Sequence, residues 1–138
     1  HPCSKRNARR PRIMASELRV NTLKDASGNN SVATSTVAEG SAKGWANYSC
    51  AGTTFRDSFN FASATDQGTG DYDLALTTSM SNDDYAVSGI SNGSGFSNTR
   101  INLDGVLSTG VILIRMHNTA DNRQDSDHCL VIVHGDRA

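Results

Sequence analysis

The side chains best suited to chemistry cluster in one polar stretch near the C-terminal end. His117, Asp121, Asp125, Asp127 and His128 lie within twelve residues, and imidazoles and carboxylates are common metal ligands. A calcium loop of the EF-hand type needs glycine at its sixth position and glutamate at its twelfth, and neither occurs in register from Asp121 or Asp125. We therefore interpret the stretch as a solvated polar loop and expect no metal ion and no other cofactor.

A second group of acids, Asp71, Asp73, Asp83 and Asp84, flanks two predicted turns. A glycosidase needs a pair of carboxylates of which one is buried against an apolar wall, so that its pKa rises. These four stand beside Gly, Ser and Asn at chain reversals, where aspartate is favoured by turn geometry alone. His134 follows a strand and has no serine or cysteine partner at a recognisable spacing. The sequence thus predicts no catalytic residue and a protein that is not an enzyme.

The three cysteines, Cys3, Cys50 and Cys129, are too few and too far apart for a zinc knuckle, and no C-x-x-C occurs. Cys50 and Cys129 each lie in an apolar, strand-like run, where a free cysteine behaves as a small hydrophobic residue. A disulfide between those two strands is the alternative that the sequence leaves open.

Charge is distributed unevenly. Five of the thirteen basic residues fall within the first twelve positions, so residues 13–138 hold eight basic against fourteen acidic residues, a net charge of −6. A nucleic-acid-binding body would instead present a basic face, so we expect the body to bind no nucleic acid. No apolar run approaches eighteen residues, and no apolar segment follows the basic head. We therefore predict neither a transmembrane helix nor a signal peptide, and no membrane partner.

Composition changes along the chain predict three segments. Residues 1–13 are predicted to be a disordered basic head, or a remnant of cloning or of an over-extended reading frame, since Met14 opens a plausible protein start. Residues 14–40 are predicted to form an extended arm, and residues 41–138 a β-sandwich domain. The arm has too few apolar residues to order alone, which are Leu18, Val20, Leu23, Val32 and Val37. We expect it to become ordered against a neighbouring subunit, the alternative being a flexible linker.

The body alternates apolar and polar residues with the period of a half-buried strand. Phe55, Asp57, Phe59 and Phe61 share one parity, and the aspartate among them suggests a bulge or a buried, paired acid. Two continuous apolar runs, at residues 111–116 and 129–133, are β-branched and short, which favours strands covered on both sides over a buried helix. About eight short strands at spacings of roughly ten residues, with no amphipathic helix, predict an all-β, antiparallel β-sandwich or barrel. The predicted core residues are Phe59, Tyr72, Leu74 and Val87.

Several short segments of the sequence resemble small structural proteins of marine tailed bacteriophages, a family described as tail-fibre-like. The resemblance covers most of residues 14–90. It rests on residues 14–31, which begin Met-Ala-Ser-Glu-Leu-Arg-Val-Asn-Thr-Leu, and on the segments at residues 41–45, 56–60, 65–72 and 81–87. The chain departs from the pattern at Cys50, at the loop of residues 91–98 and in the basic head.

The resemblance implies a non-enzymatic bacteriophage virion structural protein with a tail-fibre-like or adhesin-like β domain. It implies location in the virion, contacts with other virion proteins, and a homo-oligomer, of which a trimer is favoured. Host-surface glycan is a candidate ligand of such a domain. The alternatives are a capsid decoration protein of a phage and a stand-alone carbohydrate-binding module. No binding residue can be carried over from the family.

Overall fold

The computed structural model describes residues 17–93, 98–103, 105 and 107–138. The chain divides into two compact units between Thr34 and Ser35. The expected head, residues 1–13, lies outside the described residues, and the expected arm boundary after residue 40 stays a prediction.

The N-terminal unit is built on a hairpin of β1 (Thr22–Lys24) and β2 (Ser31–Ala33), in which Leu23 stands opposite Val32. Its turn is organised by Asp25, whose carboxylate accepts hydrogen bonds from the Asn29 amide at 2.9 Å and the Ser27 hydroxyl at 3.0 Å. These bonds favour the ionised carboxylate and lower the pKa of Asp25 to about 2. The stretch expected to be extended therefore contains a hairpin.

A seven-residue helix, α1 (Thr34–Gly40), follows the hairpin. The sequence predicted no amphipathic helix, and α1 buries none of its residues. It lacks the apolar periodicity by which a packed helix is found in a sequence. None of the helices among the described residues has the length and apolar character needed to cross a membrane.

The second unit is an antiparallel β-sandwich of eight strands. Their bounds are β3 (Gly44–Ser49), β4 (Thr54–Phe59), β5 (Phe61–Gly68), β6 (Asp71–Leu76), β7 (Ala86–Gly93), β8 (Asn98–Leu103), β9 (Val111–His117) and β10 (Ser126–His134). They follow one another across the sheet in the order β4-β3-β10-β7-β8-β9-β6-β5, and every pairing is antiparallel. The predicted fold class is confirmed.

The eight strands form two layers that are joined where the sheet passes from β7 to β8. Among the described residues, Ser91 pairs with Thr99 and Asn92 with Asn98 at this junction. Side chains of strands that are far apart in the sheet order meet across the core. The Cys50 Sγ lies 3.7 Å from the Met116 Sδ. The layer of β4, β3, β10 and β7 thus packs on the layer of β8, β9, β6 and β5.

The alternation of buried and less buried residues along β6 and β9 fills much of the core. β6 buries every second residue, and β9 does the same although its sequence is almost continuously apolar. The rings of Tyr48 and Tyr72 meet edge to face with centroids 5.2 Å apart, an arrangement favoured by the ring quadrupoles. The core predictions of Tyr72 and Leu74 are confirmed, and Val87 is partly buried against the same core.

The core prediction of Phe59 is wrong, because 46% of its surface is exposed. Two local features shift the parity of the Phe55–Phe61 stretch. The register between β3 and β4 slips by one residue beside Arg56, which is a bulge of the kind that Asp57 suggested. Asn60 then has a φ of 61° and separates β4 from β5. Phe61 consequently points into the core while Phe59 points away from it.

Asn60 itself is suited to this corner. Asparagine tolerates positive φ better than most residues, because its short side chain bonds locally. The Asn60 Nδ2 donates to the carbonyls of Lys43 at 2.9 Å and Thr78 at 3.0 Å, and its Oδ1 accepts from the Thr78 amide at 2.8 Å. The same residue thus turns the chain and ties three segments together.

Candidate interaction surface

The residues that the sequence offered as metal ligands have different bonding partners. His117 bonds to Asn102, with 3.1 Å between the ring Nδ1 and the amide nitrogen. Asp121 pairs with Arg100. Asp125 accepts bonds from the Gly70 amide at 2.7 Å and the Tyr72 hydroxyl at 3.0 Å. In the part of the chain that the structure describes, no three His, Cys, Asp or Glu side chains converge.

The four acids near the predicted turns are also dispersed among different partners. Asp71 pairs with Arg123 at 2.8 Å and with Arg115 at 3.6 Å. Asp73 accepts a bond from the Gln67 amide at 2.7 Å, while Asp83 and Asp84 are exposed. These acids therefore build turns and ion pairs, and do not form the buried pair that glycoside hydrolysis needs.

The Asp125 contacts fix the end of the sandwich. Gly70 has a φ of 66°, and a Cβ at this position would lie 2.7 Å from the Met116 carbonyl oxygen, so glycine is required there. Burial, together with the bond to Asp125, raises the pKa of Tyr72 well above its ordinary value. Burial also raises the pKa of Tyr48 to about 12. Both phenols therefore stay neutral. The bonds that Gly70 and Tyr72 donate to Asp125 hold this end of the sandwich together.

Cys50 and Cys129 are free thiols in the core, so the disulfide that the sequence left open is not formed. Burial raises the pKa of the Cys129 thiol to about 12, and it raises that of Cys50 as well. The thiolate is the reactive form of cysteine, so both residues serve as small core side chains. Cys3 lies outside the described residues.

The most unusual surface of the second unit is the side of the β4-β3-β10-β7 layer that faces away from the core. We call it the outer apolar face, and it consists of Phe59, Trp45, Ile132, Leu130 and Ile90. Trp45 stands between Phe59 and Ile132 in one cross-strand row, and Leu130 stands beside Ile90 in the next. Trp45 is 39% exposed and Ile90 is 67% exposed. Adjacent strands thus bring together side chains that are far apart in the sequence.

The outer apolar face has a ridge and two depressions. Leu130 and Ile132 form the ridge along β10. A depression of about 250 Å³ lies towards Trp45 and Asn47, and one of about 330 Å³ lies towards Ser88 and Ile90. Both depressions are lined mainly by apolar side chains. An exposed apolar surface of this kind favours contact with another protein over contact with water.

Polar groups stand at the ends of the outer apolar face. Asp57 is opposite Asn47 in the register, and the His128 Nδ1 lies 3.4 Å from the Asn47 Oδ1. His134 follows on the same side of β10 at the other end, by the alternation of the strand. The centre of the face is therefore uncharged, and two of the histidines that the sequence analysis tested belong to its rim.

Sequence reasoning missed this face because parity alone does not say which side of a strand is covered. One signal for it was present. The continuous apolar run at residues 129–133 predicted a strand covered on both sides, yet Ile132 is 42% exposed. In the second unit, over its described residues, only the inner side of β10 is covered by the sandwich.

Comparisons with protein-family models, with curated proteins and with solved structures found no match to this chain.

Proposed function

We propose that this chain is a non-enzymatic structural protein of a bacteriophage particle, whose tail-fibre-like or adhesin-like β domain acts as a homo-oligomer, most simply a trimer. The outer apolar face is the observation that carries this proposal. Exposed apolar patches of this kind mark protein interaction sites on soluble domains. The resemblance to tail-fibre-like proteins supplies the setting of a virion.

Two further observations support assembly as the function. The acids and histidines that could act in catalysis or metal binding are bonded to separate partners or exposed. Contact through the surface is therefore the activity that the described residues serve best. The apolar sequence of β10 also fits a strand whose second side becomes covered by a partner.

The decisive experiment is a mass measurement in solution. Light scattering coupled to size-exclusion chromatography on the full chain should give a stable trimer across a wide concentration range. A monomer at all concentrations would refute the proposal, since the outer apolar face would then stay open to water.

A second candidate function, carbohydrate binding, is favoured by the polar end of the same face. The exposed rings of Trp45 and Phe59 lie in one row, and the next row carries the carboxylate of Asp57 and the amide of Asn47. Ligand sites commonly combine apolar, aromatic walls with a few polar groups that fix orientation. A sugar could stack its apolar face on the rings and bond its hydroxyls to the polar pair.

Trp45 makes the second candidate directly testable, because it is the single tryptophan of the chain. Titration with a panel of host-surface oligosaccharides should change its fluorescence if they bind beside it. Asn47→Ala should abolish the change while Ile90→Ala, at the far side of the face, should preserve it. An unchanged emission across the panel would exclude this function.

A further inference from the structure

The chain holds a second apolar surface, in the N-terminal hairpin. Leu23 and Val32 are cross-strand partners, so their side chains lie on the same side of the hairpin. They are 42% and 37% exposed, and no side chain of residues 17–33 is buried. A two-stranded hairpin is marginally stable in water and needs a covering layer. These two residues therefore require a partner surface.

Charge decides which part of another copy suits the outer apolar face best. Residues 35–138 contain six basic and twelve acidic residues, a net charge of −6, whereas residues 17–34 contain two of each and are neutral. Two acidic sandwiches brought face to face would repel each other. A neutral hairpin from another copy meets no such repulsion.

Shape agrees with this choice. The outer apolar face offers two open depressions beside the Leu130–Ile132 ridge, of about 250 and 330 Å³, which aliphatic side chains of a partner can enter. The hairpin offers a short, narrow row of two aliphatic side chains, Leu23 and Val32. Packed sheets interdigitate their side chains in this manner.

We propose that the outer apolar face of each subunit is covered by the N-terminal hairpin of a neighbouring subunit. This inference rests on the proposed homo-oligomeric function and names the two surfaces that join. Because the two surfaces differ, the contact is heterologous, and a heterologous contact that closes generates a ring. Three subunits, each giving its hairpin to the next, make the trimer favoured above.

The test uses the full chain with one charge placed on either surface. Ile132→Asp alters the face and Leu23→Asp alters the hairpin. Leu103→Asp is the matched control, because Leu103 is 43% exposed on β8 in the other layer, against 42% for Ile132. Each of the first two variants should weaken association at least ~30-fold, as expected for the centre of an interface, and the control should not. Ile90→Asp replaces Ile132→Asp if circular dichroism shows that the latter unfolds.

Mixing gives the sharper result. The face of the Leu23→Asp variant and the hairpin of the Ile132→Asp variant are both intact, so the two variants together should form a heterodimer although neither associates alone. The emission of Trp45 should shift to shorter wavelength on mixing, as its ring becomes covered. Failure of the mixture to associate, or an oligomer that survives both variants, would overturn the inference while leaving the proposed function standing. A monomeric wild-type chain would overturn both.

Discussion

Removing the Tyr48 hydroxyl should not destabilise the protein. This oxygen is buried and has no hydrogen-bond partner among the residues that the structure describes. A buried, unsatisfied polar group costs about 1–3 kcal/mol of folding free energy. The Tyr48 ring would keep its edge contacts with Phe55 at 5.3 Å and Tyr72 at 5.2 Å in a phenylalanine variant. We therefore expect Tyr48→Phe to leave the free energy of unfolding unchanged or to raise it by about 1 kcal/mol.

Tyr72→Phe is the matched comparison, because the two rings touch and both are almost wholly buried. The Tyr72 hydroxyl donates to the Asp125 carboxylate at 3.0 Å. Hydrogen bonds to charged groups contribute about 1.5–3 kcal/mol, and the lower figure applies because Asp125 is exposed and solvent screens its charge. We expect Tyr72→Phe to lower the free energy of unfolding by about 1.5 kcal/mol, so the two variants should differ by about 2 kcal/mol.

Guanidinium unfolding at neutral pH, followed by circular dichroism, would measure both variants. All samples need the same chain concentration, since association raises apparent stability. A difference of about 1 kcal/mol corresponds to about 3–5 °C in Tm for a domain of this size, which thermal melts would detect. A loss of more than about 1 kcal/mol in Tyr48→Phe would refute the reasoning, because it would mean that the hydroxyl makes a bond.

Three further outcomes are expected. Asn60→Ala should lower the free energy of unfolding by about 2–4 kcal/mol, because it loses three hydrogen bonds and keeps a positive φ. Asn60→Gly should lose less stability, and equal losses of the two variants in thermal melts would contradict a role for the backbone angle. In a variant that does not associate, Phe59→Ala should reduce the free energy of unfolding by under about 1 kcal/mol and Leu74→Ala by about 3–5 kcal/mol. A large loss of stability in Phe59→Ala would mean that Phe59 belongs to the core. Burial raises the pKa of all three tyrosines in the chain, that of Tyr48 to about 12. The neutral phenols, like the buried thiols of Cys50 and Cys129, are thus favoured by folding, so stability should fall as pH rises from about 9 towards 12. A phenolate absorbance step near pH 10 in the native protein would contradict this.

The fold class could be predicted from the sequence because alternation is a local property. The large apolar residues of β6, which alternate in the sequence, are its buried residues, and Tyr72 and Leu74 are buried as expected. The exposure of Phe59 could not be predicted in this way. A bulge beside Arg56 and a left-handed Asn60 are each determined by pairing with other strands, and each shifts the parity of the residues after it.

The candidate surface depended on tertiary structure to a greater degree. Trp45, Phe59, Ile90 and Ile132 occur in four strands, and no spacing in the sequence shows that these strands are neighbours. The continuous apolar run of β10 was the visible signal, and it indicated a strand with two covered sides without saying what covers each. The short helix α1 gave no signal, because it has no buried face.

The position of β10 has a consequence for how the protein folds. This strand lies between β3 and β7, yet Cys129 pairs with Tyr48, a residue 81 positions earlier in the chain. Pairings of such long sequence separation slow folding, because the entropy of loop closure opposes them before any contact is gained. During synthesis, the edge of β3 that pairs with β10 therefore stays open to other chains until β10 has been made. High-level expression should favour aggregation of these nascent chains, and slower translation or a lower temperature should raise the soluble yield.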